Sequence, residues 1–436
     1  LTDAGYQVDA SGRKHDVIVI NTCGFLESAK DESVRAIKEA VREKKANRAK
    51  KVIVAGCLSQ RLGVELSRLA PGADMYVGVG QMANFGDLAK KVLDGGEPII
   101  DTSPPHHRWA DVTTRARTGK PWSAYLKVSE GCDHNCTFCT IPSFRGRHVS
   151  KPLGRVLAEA RQLASSGAKE LNLIAQDVTQ YGYDLYREFT LPKLLRELSA
   201  VEGIEWIRLL YFYPNRLTDE VIEAIAELPK VNNYIDIPLQ HAHPETLRRM
   251  KRPWDGERYL ALFEKLRRSL PDAAIRTTFI VGFPGETEAE FDYLLEFVRQ
   301  ARLDRVGAFL FSREPGTPSF EMEGQISQKS KNERYDRLMR LQKQISLEIN
   351  QEKIGSHIAV LVEESRDGWI SGRSYRDAPE IDGLVYSAGE ALLGSFATIK
   401  VTGAEPYDLY GDLAGQLFST ARSLKPLRMS KPVAPL

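Results

Sequence analysis

Three cysteines within eight residues constrain this chain more than any other feature. In Glu130-Gly131-Cys132-Asp133-His134-Asn135-Cys136-Thr137-Phe138-Cys139 they stand in a C-x3-C-x2-C spacing. Three thiolates on one short loop can hold three corners of a cubic 4Fe-4S cluster. A cluster kept for electron transfer alone usually takes four cysteines. The fourth iron is therefore left open by this loop, and an open iron points to chemistry at that iron. The amino and carboxylate groups of S-adenosylmethionine can chelate it, and radical chemistry is among the tasks that cofactor carries. The competing reading is zinc, because three Cys with His134 would also make a tetrahedral set. Against it, structural zinc ligands usually come as C-x2-C pairs.

The rest of the cysteine count agrees with thiols kept reduced. Five cysteines in 436 residues are too few for a disulfide framework. Two remain after the loop, Cys23 and Cys57. The composition, 42% hydrophobic and 27% charged, suits a folded chain of two or three domains. Net charge is +2, so no global excess argues for nucleic acid or membrane. No apolar run approaches the roughly 18 residues of a membrane span. The chain starts at Leu1 and shows no signal-peptide pattern, so a cytoplasmic protein without a membrane partner is expected.

Taken in order, the pattern predicts an α/β chain of three units. Over 1–101, Asp16–Ile20 and Lys51–Ala55 are short β-branched runs that read as buried parallel strands. Each is followed by a helix, the first with Ser28 or Asp31 as its N-cap, the second beginning near Ser59. This is an open α/β sheet. Cys23 and Cys57 fall at the C-terminal ends of the two strands, where such sheets bind ligands, so the two thiols can converge on one site. The alternative for each is a small buried apolar cysteine. Residues 102–121, with Pro104, Pro105, Pro121, His106 and His107, read as a linker; the two histidines suit a solvated loop better than a metal.

Over 122–350, six strands alternate with amphipathic helices: 123–128, 170–175, 206–210, 234–239, 275–281 and 305–311. Six such units predict a partial α/β barrel with its active site at the C-terminal strand ends. Unusual residues gather there, including Gln176-Asp177, Tyr211-Phe212-Tyr213-Pro214, Gln240-His241 and Gly282-Phe283-Pro284-Gly285-Glu286. A long polar helix over 327–355 closes the unit. Over 351–415 short strands at 358–363, 369–372, 384–386 and 396–401 predict a small β-barrel. Residues 416–436 form a basic tail.

The chain resembles the methylthiotransferase family of radical S-adenosylmethionine enzymes. The resemblance rests on Asn21-Thr22-Cys23, Gly56-Cys57, the cysteine loop running on into Ile141-Pro142 and Arg145-Gly146, Phe283-Pro284-Gly285-Glu286-Thr287, and a terminal TRAM-type barrel. It covers nearly the whole chain. Asn21 to Ala29, Ala175 to Gly182, Asp377 to Gly383 and Tyr407 to Gly411 resemble the RimO branch in particular. That branch methylthiolates the β-carbon of an aspartate in small-subunit ribosomal protein twelve, whereas the sister MiaB-type branch modifies a tRNA adenosine.

The resemblance implies two 4Fe-4S clusters and S-adenosylmethionine. Cys132, Cys136 and Cys139 would bind the radical-generating cluster, and Cys23 and Cys57 an auxiliary cluster that carries the sulfur. The family uses three cysteines there, the first in a glycine–cysteine turn after an initial strand. Leu1–Tyr6 reads as the end of a first helix, so that strand and most of the helix are expected upstream. The auxiliary cluster is then expected to be held poorly by these residues alone, and the sheet to carry an exposed edge. Phe138, Gln176, Asp177, Arg276, Gly282 and Gly285 are candidate contacts to S-adenosylmethionine. The alternatives are a loop-core aromatic for Phe138, a helix N-cap for Asp177, and a bare turn for the glycines. Arg276 is expected to point into the barrel toward a carboxylate. A basic ribosomal protein, free or in the assembled small subunit, and an electron donor are the implied partners, and the chain is expected to be a monomer.

Charge discriminates between the two branches independently. From Gln351 to Gly415 there are five basic and eleven acidic residues, a net of −6. A module that grips phosphates should carry a basic face. An acidic one repels RNA and favours encounter with a basic protein.

Overall fold

The computed structural model describes residues 7, 16–46, 50–105, 109, 117 and 119–417. Most of the expected linker, including His106 and His107, and nearly all of the basic tail lie outside the described residues, as does Leu1–Tyr6.

The first unit is a parallel sheet with its strands in chain order: β1 (Val17–Thr22), β2 (Lys51–Gly56), β3 (Met75–Val77) and β4 (Ile99–Asp101). Helices α1 (Glu27–Lys45), α2 (Cys57–Leu62), α3 (Val64–Leu69) and α4 (Phe85–Leu93) connect them. Alternation along β2 explains the two layers. Val52 and Val54 pack with Ile37, Val41, Leu58 and Leu66 on one face. Ile53 and Ala55 pack with Met75, Val77, Ala89 and Val92 on the other. β1 forms one edge, and Val19 there is 41% exposed. The expected caps of α1 are corrected: the helix starts at Glu27, and no side chain of its own segment caps it. Its first N–H is met from far along the chain, where Glu314 Oε1 accepts from Glu27 N at 2.9 Å.

The second unit carries the cysteine loop. Its elements are β5 (Ser123–Lys127), β6 (Ser129–Glu130), α5 (Ile141–Arg145), β7 (Val149–Ser150), α6 (Leu153–Ser165), β8 (Glu170–Ile174), α7 (Tyr183–Tyr186), α8 (Leu191–Ser199), β9 (Trp206–Leu209), α9 (Asp219–Glu227) and β10 (Tyr234–Asp236), then α10 (Pro244–Met250), α11 (Gly256–Ser269), β11 (Ala274–Val281), α12 (Glu288–Ala301), β12 (Arg305–Leu310) and the long α13 (Gln328–Gln351). Two parallel ladders, β5-β8-β9 and β10-β11-β12, are joined by hydrogen bonds from Ile207 N to Lys230 O (2.7 Å) and from Phe212 N to Asp236 O (2.8 Å). Among the described residues no ladder joins β5 to β12. The result is the expected six-stranded partial barrel. Along β11, Ile275, Thr277, Phe279 and Val281 are buried; Phe279 meets Phe297 of α12. Arg276, Thr278 and Ile280 take the opposite, inner face. One apolar core of strand and helix residues, from Ala124 to Ile349, runs through the unit.

The third unit is a closed barrel of five strands, β13 (His357–Arg366), β14 (Trp369–Ser374), β15 (Val385–Ala388), β16 (Phe396–Ala404) and β17 (Leu409–Leu417), in the order β13-β14-β15-β17-β16. Inward residues such as Val360, Ile370, Val385, Ile399 and Leu409 fill it. It sits against the N-terminal strand ends of the larger barrel. Arg373 of β14 donates to Glu170 Oε2, the first residue of β8, at 2.5 Å. Arg208 of β9 donates to the carbonyl oxygens of Tyr375 (2.7 Å) and Ser374 (3.2 Å). Arg376 reaches Asp304 at 2.7 Å, and Arg305 reaches Asp377 at 3.0 Å. The loop after β14 plugs this end, with Ala378 packed among Leu210, Tyr234 and Ala274.

Candidate active site

The cysteine loop leaves the C-terminal end of β5 and is pinched at its base. β6 and β7 pair antiparallel, Ser129 with Ser150 and Glu130 with Val149, so the loop between them is tied like a purse. Gly131 opens the loop at φ +77, and a Cβ there would collide with the carbonyl oxygen of Arg147. Cys132 N donates to Gly146 O at 3.1 Å across the same neck. The three thiols are partly buried. Burial pushes Cys132 and Cys139 up to about 12, and the neighbouring Cys136 adds to the effect in both. Such thiols give up their protons to a metal rather than to water, so cluster binding would release protons.

The arrangement fits a cluster better than zinc. His134 is engaged elsewhere: its Nε2 lies 2.7 Å from Asp177 Oδ2, and its ring stacks on Tyr213 with centroids 3.6 Å apart and an 8° tilt. Among the described residues no three His, Cys, Asp or Glu side chains gather around one ion. Zinc needs its ligands around a single point, whereas a cubane takes each thiolate on a different iron. A cation, Arg252, stands beside the thiols. Its Nη1 is 3.9 Å from Cys136 Sγ, its guanidinium lies 4.2 Å from the Tyr213 ring centre, and Nη2 donates to Pro238 O. A positive charge beside the loop suits an anionic cluster with thiolate ligands. No sequence pattern marks Arg252; it follows α10 in the chain and reaches the loop only through the barrel's closure.

The expected contacts to S-adenosylmethionine divide. Gln176 follows β8, and its Oε1 is enclosed without a hydrogen-bond partner, an acceptor suited to an ammonium group. Asp177 is the cap of the short turn Val178–Gln180, accepting from Thr179 N at 2.9 Å. Its other oxygen takes His134 and Arg216 (3.3 Å). Burial would raise this carboxyl, but His134 and Thr179 hold it below the usual range. Both its oxygens are thus used by the protein, to fix the loop. Phe138 packs with Met250, Phe283 and Phe311, the loop-core role. The turn at Gly282 and Gly285 is closed by its own Glu286, whose Oε2 accepts from Gly282 N and from Phe283 N (2.9 Å), and Gly285 N donates to Gly324 O. Arg276, also a candidate cofactor contact, is engaged by carboxylates. It lies near the start of β11, its carboxylate partners being Asp236 (2.9 Å) and Asp382 of the small barrel (3.5 Å). Asp236 also accepts from Tyr211 N at 3.1 Å, so Arg276 and the residue after β9 share this carboxylate.

Cys23 and Cys57 meet as their strand positions suggest. Thr22 pairs with Gly56 at the end of the β1–β2 ladder, so the next residues are neighbours. A Cβ on Gly24 would stand 2.9 Å from Leu58 Cα, which shows how closely the two turns pack. Cys23 is exposed and Cys57 half-buried. Cys57 is tied to the segment that follows the cysteine loop: Arg145, at the end of α5, donates from Nη2 to Cys57 Sγ at 2.9 Å. Burial raises the Cys57 thiol, and the Arg145 guanidinium works against it. A second contact seats the domain. Arg61 of α2 pairs with the buried Glu314 at 2.9 Å and donates to Gly24 O at 2.7 Å.

Comparison with known proteins agrees with this architecture. Residues 1–78 match Uncharacterized protein family UPF0004, residues 126–298 the Radical SAM superfamily, and residues 354–413 the TRAM domain. Ribosomal protein uS12 methylthiotransferase RimO of Desulforamulus reducens is 43% identical over 419 residues, which cover 95% of this chain and 94% of that one. The protein of that name in Microcystis aeruginosa is 45% identical over 416 residues, with 95% and 94% covered. Among solved structures, the radical S-adenosylmethionine methyltransferase TsrM of Kitasatospora setae, with 14% identity, gives a TM-score of 0.55 over 84% of this chain and 70% of that one, a likeness of fold alone. Sequence, site and architecture together place this chain in the RimO family of ribosomal protein uS12 methylthiotransferases, within the radical SAM superfamily.

Proposed function

We propose that this protein adds a methylthio group to the β-carbon of an aspartate in ribosomal protein uS12, free or in the small subunit, with the methyl group supplied by a second S-adenosylmethionine and the sulfur by a second iron–sulfur cluster to which Cys23 and Cys57 would contribute two of its three cysteine ligands. The observation that carries this reading is the bond across the domain contact from Arg145, six residues after Cys139, to Cys57 Sγ at 2.9 Å. When bound, the cluster and S-adenosylmethionine supply reductive cleavage to a 5′-deoxyadenosyl radical, able to take hydrogen from an unactivated carbon. The chain's own residues do the rest. Cys132, Cys136 and Cys139 would hold that cluster, and Gln176 Oε1, without a hydrogen-bond partner of its own, would accept from the ammonium group of the cofactor. His134, Asp177 and Tyr213 lock the loop, and Phe138, Phe283 and Phe311 keep water from its flank. An electron donor is required, and a single chain in the cytoplasm suffices.

The small barrel supports a basic protein as substrate. Arg373, Arg376, Glu363, Asp377 and Asp382 are withdrawn into its contact with the larger barrel. Two basic residues, Arg366 and Lys400, then remain on its outer surface against seven acidic ones, since Glu352 pairs with Arg302 of the larger barrel and Lys353 is half-buried beside Asp304 and Arg376. Such a surface attracts a basic chain and repels RNA. The test reconstitutes the protein anaerobically with iron and sulfide, adds reductant and S-adenosylmethionine, and offers uS12 or tRNA. A methylthio mass gain on uS12 is expected, and 5′-deoxyadenosine disappears with Cys132→Ala. Mass gain on tRNA alone would overturn the choice of substrate.

A further inference from the structure

We propose that the apolar rim made by α7 and the residues just after it, beside the neck of the cysteine loop, is the docking surface for the segment of uS12 that carries the target aspartate. The inference rests on the reading of uS12 as substrate. Over residues 122–350 the exposed large apolar side chains are Tyr183, Leu185, Tyr186, Phe189, Tyr211 and Phe309, each 42–53% exposed. They are not scattered singly, as surface apolar residues normally are. Four belong to α7 and the three residues after it, in the connection that follows β8. Tyr211 stands two residues past β9, and Phe309 is the last residue but one of β12. All six therefore lie toward the C-terminal ends of their strands. The cysteine loop leaves β5 at that end, and barrels of this kind do their chemistry there.

A helix of four residues cannot hold itself, and polar bonds fix α7 to the loop's neck. Gly182 N donates to Ser150 Oγ at 2.9 Å, Ser150 N to Asp184 Oδ2 at 2.9 Å, and Leu153 N to Tyr186 Oη at 3.2 Å. Just before α7, Gln180 Nε2 donates to Asp133 Oδ2 of the cysteine loop at 2.7 Å. On the exposed side Tyr183 stacks on Phe189, with ring centres 4.8 Å apart. Arg216, which pairs with Asp177, lies 5.5 Å from the Phe189 ring centre. The polar groups thus anchor the segment, and the apolar ones are left to water, which is unfavourable until something covers them. What covers them follows from the reaction. The target is the β-carbon of one residue in a protein, and an aspartate side chain is short. Its backbone must lie across the rim whenever that carbon is presented to the site. The rim is also neutral: over 183–189 Asp184 is engaged by Ser150, and Arg187 and Glu188 offset each other. Steering at range thus belongs to the acidic small barrel, and close apolar contact to the rim.

The test measures the affinity of purified uS12 for the full chain, reconstituted with iron and sulfide, and for the double variant Tyr183→Ser, Leu185→Ser. Both side chains are exposed, so the variant is expected to fold; if it does not, Leu185→Ser is read alone. The dissociation constant is expected to rise about tenfold on loss of apolar anchors. The same factor is expected at roughly 0.1 M and roughly 1 M salt, because apolar contact is not screened. A loss confined to low salt would assign the effect to charge and overturn the rim. Unchanged affinity in a parent chain that binds uS12 overturns the docking surface alone. If the parent binds uS12 neither free nor in the small subunit, the substrate reading falls and this inference with it. Unchanged uS12 affinity with slower reduction by an electron-carrier protein, or with loss of a dimer of this chain, gives the rim to that partner and overturns the proposal.

Discussion

The large barrel is gripped at both ends, and the two grips are built differently. At the N-terminal strand ends the small barrel is held by interlocked buried charges: Glu170 between Arg208 and Arg373, Arg376 on Asp304, Arg305 on Asp377, and Arg276 between Asp236 and Asp382. Tyr234 Oη adds a bond to Asp382 at 2.6 Å. At the other end, among the described residues, the N-terminal domain is held by the buried pair Arg61–Glu314, by Glu27 N on Glu314 Oε1, by Arg61 on Pro315 O and by Arg145 on Cys57. A buried ion network adds little net stability, but removing one member is strongly destabilising because it strands the others. The floor is therefore specified tightly and made permanent. The upper contact touches few groups, and those it touches stand next to the thiols.

The largest expected effect is at the floor. Glu170→Gln leaves Arg208 and Arg373 without their shared carboxylate, in a place where Arg208 and Glu170 have no exposed side-chain surface. A loss of about 3–5 kcal/mol is expected, read as a lower midpoint for the barrel transition in denaturant. A loss below about 1 kcal/mol would mean that the two grips do not differ in kind.

Acid provides the next test. Burial alone would raise the Glu170 carboxyl, but Arg373 and Arg208 draw it from the usual 4.5 down to about 2. A carboxyl with a depressed folded value contributes stability that is complete above the unfolded value. That stability is lost as pH falls from about 4.5 toward about 2. The sum is on the order of 3 kcal/mol. Acid unfolding followed between pH 5 and 2, by roughly half-unit steps, should flatten in Glu170→Gln. An unchanged slope would place the acid-sensitive carboxylates elsewhere.

A smaller effect is expected above. Glu314→Gln removes the charge that meets Arg61 and weakens the acceptor for Glu27 N and Ser312 Oγ. About 1–3 kcal/mol should be lost, confined to the N-terminal domain and visible as an early calorimetric transition. If the barrel and the small domain shift as much, the upper contact is no lighter than the floor.

This difference also explains what is legible in the sequence. The thiol spacing, the six barrel strands with their helical crossovers and the strand-end placement of Cys23 and Cys57 depend on local pattern, so they can be read directly. Alternation along its strand points Arg276 at a carboxylate inside the barrel, and Asp236 and Asp382 stand there. β3 and β4 have three residues each, too few for a period, and β17 is interrupted by Gly411 and Gly415. The cap of α1 has no local signal because its acceptor, Glu314, lies 287 residues away. Arg252 and Arg61 are ordinary arginines in sequence. Their roles arise only when distant segments meet, and both grips are made of such meetings.

The smallest effect sharpens the comparison from inside the floor. Lys120 pairs with Glu363 at 2.7 Å, but its side chain is 46% exposed while that of Glu363 is 6% exposed. Glu363 also receives Arg373 Nε at 3.0 Å and Nη2 at 2.9 Å, so Lys120→Gln leaves no buried charge alone. Solvent screens the lysine, and its long side chain is ordered at an entropic cost. The substitution should therefore shift the barrel transition by less than about 0.5 kcal/mol, and less still in high salt. What makes the floor strong is enclosure and mutual dependence, not the number of ion pairs. A Lys120→Gln loss approaching that of Glu170→Gln would contradict this, because a half-exposed cation would then matter as much as a carboxylate that two buried guanidinium groups share.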